Sequence, residues 1–285
     1  MSTSRYNKAT PQTKIFEALV NLYIEKLGRF TINTIVNAGK YSLFTSKTVT
    51  KMVTPPVSFS LLIRQIDFVG TKSFAIVAVA GSMVGGIFGF QLGEIFGLFA
   101  VESLIGATAG FAITRELAPI IAAFLVTARA GSAMTAEIGT MRVNEQIDAM
   151  RVMSINPYAY LTSPRVLATT IIVPILSTIF VIAGLLCAML VSSAYYGVEF
   201  NAAIERLRWL VSLDDLLVGI EKAAIFGFLL SSVCCYQGFN AKGGAKGVGI
   251  ATTKAVVISY VGIILLDFLA TYIQFKTGGI GLFDR

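Results

Sequence analysis

The sequence predicts an all-α integral membrane protein, with a helix lying on the membrane surface, five crossing helices and a polar helical insert. Three observations predict it. The 285 residues are 55% hydrophobic and only 14% charged, with a mean hydropathy of +0.75, whereas a soluble domain carries about a quarter charged residues. Apolar runs recur five times, each long enough to cross a hydrocarbon core of about 30 Å. Between the second and third runs lies RAGSAMTAEIGTMRVNEQIDAMRVMSINPYAYLTSPR, residues 129–165, a polar stretch too long for a simple turn.

Composition also excludes chemistry. The chain has no histidine, which removes His-ligated metal sites and a His general base. Cys187, Cys234 and Cys235 all fall inside apolar runs and read as small buried hydrophobes rather than a disulfide framework. The net charge of +7 fits loops facing anionic lipid better than nucleic-acid binding.

Residues 1–12 read as a disordered tail without the apolar core of a signal peptide. From Thr13 to Val36, Ile15, Phe16, Leu19, Val20, Tyr23, Leu27 and Phe30 oppose Lys14, Glu17, Asn21 and Glu25. That amphipathic pattern, with too many charges to cross, predicts an interfacial helix. Pro55-Pro56 breaks it, and 59–72 is a second polar-apolar approach, so 13–72 forms one interfacial region before a five-span domain at 73–285.

Ser73 to Gly93 is the first crossing, and Gly81, Gly85, Gly89, Gly93 and Gly97 place a glycine on one face every four residues. Such a stripe admits a neighbouring backbone or borders a substrate cavity. Gly106 and Gly110, on the returning span Ser103–Ala128, are the expected partners. Arg115-Glu116 lies in the middle of that span, where charge is costly unless paired or facing water. It reads either as an internal ion pair or as a polar point in a lipid pathway.

In the 129–165 insert, Gly131 and Gly139 bracket one short helix. Asn144 is positioned to cap a second, with Glu145 and Asp148 in its first turn, where carboxylates suit the dipole. Val166–Val198, containing Pro174, is the third crossing, and Glu199–Asp215 is a mixed polar loop with Trp209 as an interface anchor. Leu216–Gly238 is the fourth, with Glu221-Lys222 near its outer end. Residues 239–254 form a glycine-rich basic loop, and Ala255–Phe275, containing Asp267, is the fifth crossing. Lys and Arg concentrate in 1–72, 129–165 and 239–254, which puts the N-terminus and the insert in the cytoplasm.

The 243–249 glycine loop lacks the spacing of a nucleotide-binding motif, and no nucleophile–base pair stands out. The chain is read as a transport component, not an enzyme, and no cofactor is expected. Two energy sources are compatible with it. A separate ATPase could grip the polar insert. Alternatively, Glu116 and Asp267 could serve an ion-coupled carrier that acts without an ATPase. A weaker reading is a scaffold that only anchors other proteins.

Three segments carry a resemblance: RELAPIIAAFLVTARAGSAMTAEIGTMRVNEQIDAMRVM at 115–153, PYAYLTSPRVLATTI at 157–171, and DLLVGIEKAAIFGFLLSSVCCYQGFNAKGGAKGVGIATTKAVV at 215–257. Their order and spacing resemble the MlaE-type permeases of ABC lipid transporters that work with MCE proteins. The resemblance covers about residues 60–275. It implies an interfacial helix and five spans, a homodimer, and phospholipid carried between an inner and an outer membrane. It implies a cytoplasmic ABC ATPase dimer docked on the 131–151 coupling helix through Ala136, Glu137, Met141, Arg142, Glu145, Gln146, Asp148 and Ala149. It also implies a periplasmic MCE-domain lipid-binding protein, and a lipid pathway at Gly81, Gly85, Gly89, Leu92, Phe96, Leu98, Arg115 and Glu116. The expected place is a bacterial inner membrane, with a plastid inner envelope as the lesser alternative. The family commonly has a glycine and an aspartate where this chain has Ser154 and Asn156, and often a basic residue where Ile250 stands.

Overall fold

The computed structural model describes residues 11–53 and 59–276, and all regular structure among them is helical. The chain divides into two units, the residues up to Lys47 and those from Thr48 onward. The first is most of helix α1, Pro11–Val53. This helix runs well past the predicted Val36. Its exposed apolar residues Ile32, Ile35, Val36 and Leu43 recur at helical spacing. The predicted tail at 1–10 and the Pro55-Pro56 break lie outside the described residues.

The second unit holds five helices long and apolar enough to cross a membrane. Span 1 joins α2 (Phe59–Val69) to α3 (Thr71–Gly97) with only Gly70 between them. Residues 59–72 therefore extend the first crossing instead of forming a separate approach. Span 2 is one long rod from Glu102 to Val143, composed of α4 (Ile105–Ala112), α5 (Ala118–Val126) and α6 (Ser132–Val143). Two π turns, Ile113–Leu117 and Thr127–Gly131, join its pieces. After α7 (Gln146–Val152), span 3 consists of a π turn and α8 (Ser163–Tyr196). A short helix, α9 (Phe200–Leu210), precedes spans 4 and 5, α10 (Leu213–Phe239) and α11 (Gly244–Lys276).

Three predicted boundaries move. The helix expected between Gly131 and Gly139 is part of α6, which runs through Gly139. Local hydropathy falls there, but the backbone ladder does not stop, and packing against α10 and α11 supports the extension. The 239–254 loop shrinks to Asn240–Gly243, because Gly244 begins a helix of 33 residues. The 199–215 loop contains α9 and a capping box: the Ser212 hydroxyl accepts from the Asp215 amide, and Asp215 accepts from the Ser212 amide.

The glycine stripe of α3 packs against α8, not against span 2. An added Cβ at Gly85 would stand 2.0 Å from the Gly184 carbonyl oxygen, and one at Gly81 would stand 2.7 Å from that of Phe180. Further along, Gly89 meets Val191 and Gly93 meets the Tyr196 ring. The expected partners lie elsewhere: Gly110 sits under Leu207 and Leu185, and Gly106 faces Met189. α8 thus forms the centre of the bundle, with Val173, Leu176 and Phe180 among the core side chains it shares with α3, α5 and α10.

Because the atom in the way at Gly85 is backbone, Gly85→Ala should destabilise the fold by about 3 kcal/mol. Gly97→Ala, at a position with only the Glu102 carboxylate 4.0 Å away, should leave the thermal melt of the solubilised protein unchanged. Equal melts for the two variants would contradict the packing.

Candidate functional site: an ion cluster within the bundle and a pinned turn at its basic end

The first part of the site forms where span 2 meets α10. Asp215, Gly219 and Lys222 lie at i, i+4 and i+7 on one buried face of α10. Gly219 admits the π turn of span 2, since a Cβ there would be 2.4 Å from the Thr114 carbonyl oxygen. This close approach brings both consecutive charges of span 2 onto α10. Arg115 donates to Asp215 at 3.1 Å, and the Asp215 side chain also holds the cap of α10. Glu116 accepts from Lys222 at 2.7 Å.

Lys222 is fully buried, and an ammonium has three protons to place. It donates to Glu116, to Asp267 at 3.2 Å and to the Thr271 hydroxyl at 2.8 Å. Thr271 in turn lies 3.3 Å from Glu116. One lysine thereby ties spans 2, 4 and 5 together. Arg115 and Glu116 are not paired with each other; each has its own partner on α10. Glu116 remains 36% exposed while Lys222 is 1% exposed, so the carboxylate is the face of the cluster that a solute could reach.

Sequence reading missed the roles of Asp215 and Lys222 as the partners of Arg115 and Glu116. The signals were present. Ser212-Leu213-Asp214-Asp215 before an apolar run is a capping-box pattern. Lys222 shares the helical stripe of Gly219, Ala223 and Phe226, all buried, while Glu221 points outward.

The second part of the site is at the opposite, basic end. α6 lies over α10 and α11, where Gly238 contacts Thr135 and Ile138, and Gly139 contacts Val248. Glu137 reaches across to the buried Arg165 of α8 at 2.8 Å. Ala136 and Met141 are half-buried on α6. The chain then reverses through Asn144 and Glu145. Asn144 ends α6 and does not cap α7; Glu145 occupies the N-cap position of α7 in a left-handed conformation, φ 58°. A short reversal between two helices needs one such residue, and that geometry overrides the preferred cap chemistry of asparagine.

Inside the turn, Asp148 accepts from Arg142 at 2.6 Å and from Arg151 at 2.9 Å. Ile147 is fully buried beneath them. Outward stand Glu145, Gln146 and Ala149, followed by Val152, Met153 and Ile155. A Schellman motif closes α7: Ser154 donates to the Arg151 carbonyl and Ile155 to that of Met150, with Ser154 left-handed at φ 61°. That position favours glycine.

Of the predicted pathway residues, Gly81, Gly85 and Gly89 are buried in the seam with α8, Leu92 and Phe96 are half-buried, and Leu98 is 84% exposed. Arg115 and Glu116 stand on span 2, in the turn that meets α10. The predicted Arg142 and Asp148 do come together.

Two outcomes test this geometry. Lys222→Met leaves Glu116 and Asp267 without their shared cation and should destabilise the protein by about 3 kcal/mol. Adding Glu116→Gln and Asp267→Asn should recover most of that loss in the same melt. Ser154→Gly relieves a left-handed serine and should stabilise by about 1 kcal/mol, read as a rise in Tm.

Comparison with known proteins agrees with this architecture. The profile of the family described as Permease MlaE matches residues 62–273. A probable ABC transporter permease protein of Rickettsia bellii is 37% identical over 252 residues, covering 88% of this chain and 96% of that protein. A probable ABC transporter permease protein of Synechocystis is 34% identical, covering 76% of this chain and 82% of its own length. The chloroplastic protein TRIGALACTOSYLDIACYLGLYCEROL 1 of Arabidopsis thaliana is 32% identical, covering 77% of this chain and 63% of that protein. With five membrane-length helices, a family match over most of its length and relatives named as permeases, the chain is a multi-pass membrane permease subunit and belongs to the MlaE permease family.

Proposed function

We propose that this chain is the membrane subunit of an ATP-driven transporter that moves phospholipid between an inner and an outer membrane, working as a homodimer. The observation that carries the reading is the pinned turn at the end of span 2. α7 is short, held by Arg142–Asp148–Arg151, and presents an exposed surface from Glu145 to Ile155. It continues directly from α6, and α6 from the rest of span 2. A push on α7 by a cytoplasmic ABC ATPase dimer therefore acts on a rod that carries Arg115 and Glu116, and the relatives' names as ABC transporter permeases support such a partner.

In this reading Ala136, Glu137, Met141, Arg142, Glu145, Gln146, Asp148 and Ala149 form the coupling unit, and the N-terminus is cytoplasmic. ATP binding moves the unit, span 2 shifts against α10, and the Lys222 cluster carries the shift to span 5. The glycine seam keeps span 1 in close contact with α8, through backbone at Gly81 and Gly85 and through Val191 and Tyr196 at Gly89 and Gly93. Lipid passes along Leu92, Phe96 and Leu98 near Glu116 toward a periplasmic MCE-domain lipid-binding protein. In this reading the membrane is a bacterial inner membrane.

A second reading has one observation in its favour. Glu116 and Asp267 converge on one lysine inside the membrane, as the carboxylates of an ion-coupled carrier would. Such a carrier would transport in liposomes under an ion gradient without ATP.

The test is mild purification from the native membrane. A nucleotide-hydrolysing subunit should accompany the chain one to one, with phospholipid in the particle. Glu145→Arg, on an exposed side chain, should remove that subunit and leave the melt unchanged. Asp148→Arg should remove it and also lower the melt, because two arginines lose their acceptor. Unchanged copurification in both variants would sink the docking role.

A further inference from the structure

α11 turns one face to the bundle and leaves another uncovered among the described residues. Ala251, Ala255, Ser259 and Ile263 are buried, on the side that packs against α6 and α10. Ser259 lies beside Cys234 of α10, and Val248 packs at Gly139 of α6. Away from the bundle, Lys246, Ile250, Thr253, Lys254 and Val257 recur at helical spacing, and all are exposed. They line a groove of about 700 Å³ along the helix. Gly249 lines it too, between the two lysines, and an added Cβ there would meet nothing within 4 Å.

The charge of this groove has one sign. Residues 223–266 contain Lys242, Lys246 and Lys254 and no acid. Of the helices packed on α11, α6 adds Glu137, which is already paired with Arg165. The acids of α10 stand in its first turns, at the other end of the bundle. The Thr253 hydroxyl donates to the Gly249 carbonyl at 3.2 Å, so the two ammonium groups are the side-chain donors the groove offers. Its depth follows from the helix. From Lys254 to Lys276 α11 rises about 33 Å, close to the thickness of a hydrocarbon core. Asp267, held by Lys222, is the one charge between them. Lys254 therefore marks the headgroup boundary, and Lys246 stands about 12 Å further out. On the other side of Lys254 the groove runs over Val257 and Ile258, and the exposed apolar face continues through Val261 and Ile264.

We propose that this groove of α11 binds an anionic phospholipid of the leaflet at the basic end of the bundle. The phosphate lies over Gly249 between the Lys246 and Lys254 ammonium groups, and one acyl chain runs past Val257. The two lysines select the headgroup by charge, reaching it on flexible stems that lie along the helix. The missing side chain at Gly249 makes room for it, and the apolar face beyond Lys254 takes the chain. The site is on the outside of α11, apart from the Lys222 cluster. It requires only that α11 crosses a bilayer and stands independently of the ATP-driven reading.

Trp209 is the only tryptophan of the chain, so Trp209→Phe gives a background in which one reporter can be placed. The full-length chain carrying Val257→Trp, in the groove, is compared with Ile182→Trp, on the exposed face of α8. Both are reconstituted in phosphatidylcholine vesicles, and quenching by brominated phosphatidylglycerol and brominated phosphatidylcholine is measured. The groove reporter should favour the anionic lipid about five-fold or more, five-fold being the factor for one cation near a membrane surface, and the control should not. Lys246→Gln together with Lys254→Gln should bring the groove reporter to the control ratio. Gly249→Leu keeps both charges and meets no neighbouring atom, and it should remove most of the preference by filling the headgroup position. Equal preference at both reporters overturns the site, as does a preference that survives the double lysine substitution. A preference that survives Gly249→Leu also overturns it, because the lysines then act only as diffuse surface charge. Absence of quenching by either lipid at the groove reporter overturns it as well, because protein, such as a second copy of this chain, then covers α11.

Discussion

The structure depends on how it satisfies charge away from water. Lys222 is the buried junction: three donors, three acceptors, and three spans joined at one nitrogen. In lipid an unsatisfied ammonium or carboxylate costs several kcal/mol, so these spans cannot separate without a replacement partner for each group. Arg115 and Asp215 repeat the arrangement one step toward the start of α10, where Asp215 also completes the helix cap. Helix start, ion pair and span contact are thus one piece of structure.

A different kind of contact joins span 1 to the bundle. The α3–α8 seam is built from glycines meeting backbone, at Gly81, Gly85 and Gly184. In a membrane the hydrophobic effect does not drive helices together, so close backbone packing supplies the attraction. The two modes have different consequences. Ion contacts hold spans 2, 4 and 5 at defined points. The glycine seam holds span 1 by close backbone packing, supplemented at one end by the Tyr196 hydroxyl on the Phe90 carbonyl and at its basic end by Arg129 on the Phe68 carbonyl. The rod of span 2 therefore makes polar contacts to α10 through Arg115 and Glu116, to α11 through the same cluster, to α8 through Glu137 and to span 1 through Arg129.

Much of the candidate site was legible in order but not in partnership. The polar insert, its charged residues and the Arg115-Glu116 point all stand out against apolar surroundings. The left-handed residues at Glu145 and Ser154 did not, because neither is glycine and nothing in the local sequence marks a reversal there. The commoner glycine of the family at position 154 was the one hint, and the Schellman geometry supplies its reason. Lys222 was read together with Glu221 as one charged pair; helical periodicity puts the two on different faces, Lys222 buried and Glu221 exposed.

By itself the sequence determined that this chain crosses a membrane, where the crossings fall within several residues, and where the polar insert interrupts them. Those properties are local: apolar content over about 20 residues decides whether a segment enters lipid. Only the tertiary structure decided which glycine face meets which helix, that α6 continues span 2 and α11 absorbs a basic loop, and which carboxylate neutralises which cation. Glu116 and Lys222 are 106 positions apart, and Thr271 lies 155 from Glu116. Their meeting is set by how the spans pack, and packing depends on shape and pairing across the bundle, which no single window of sequence contains.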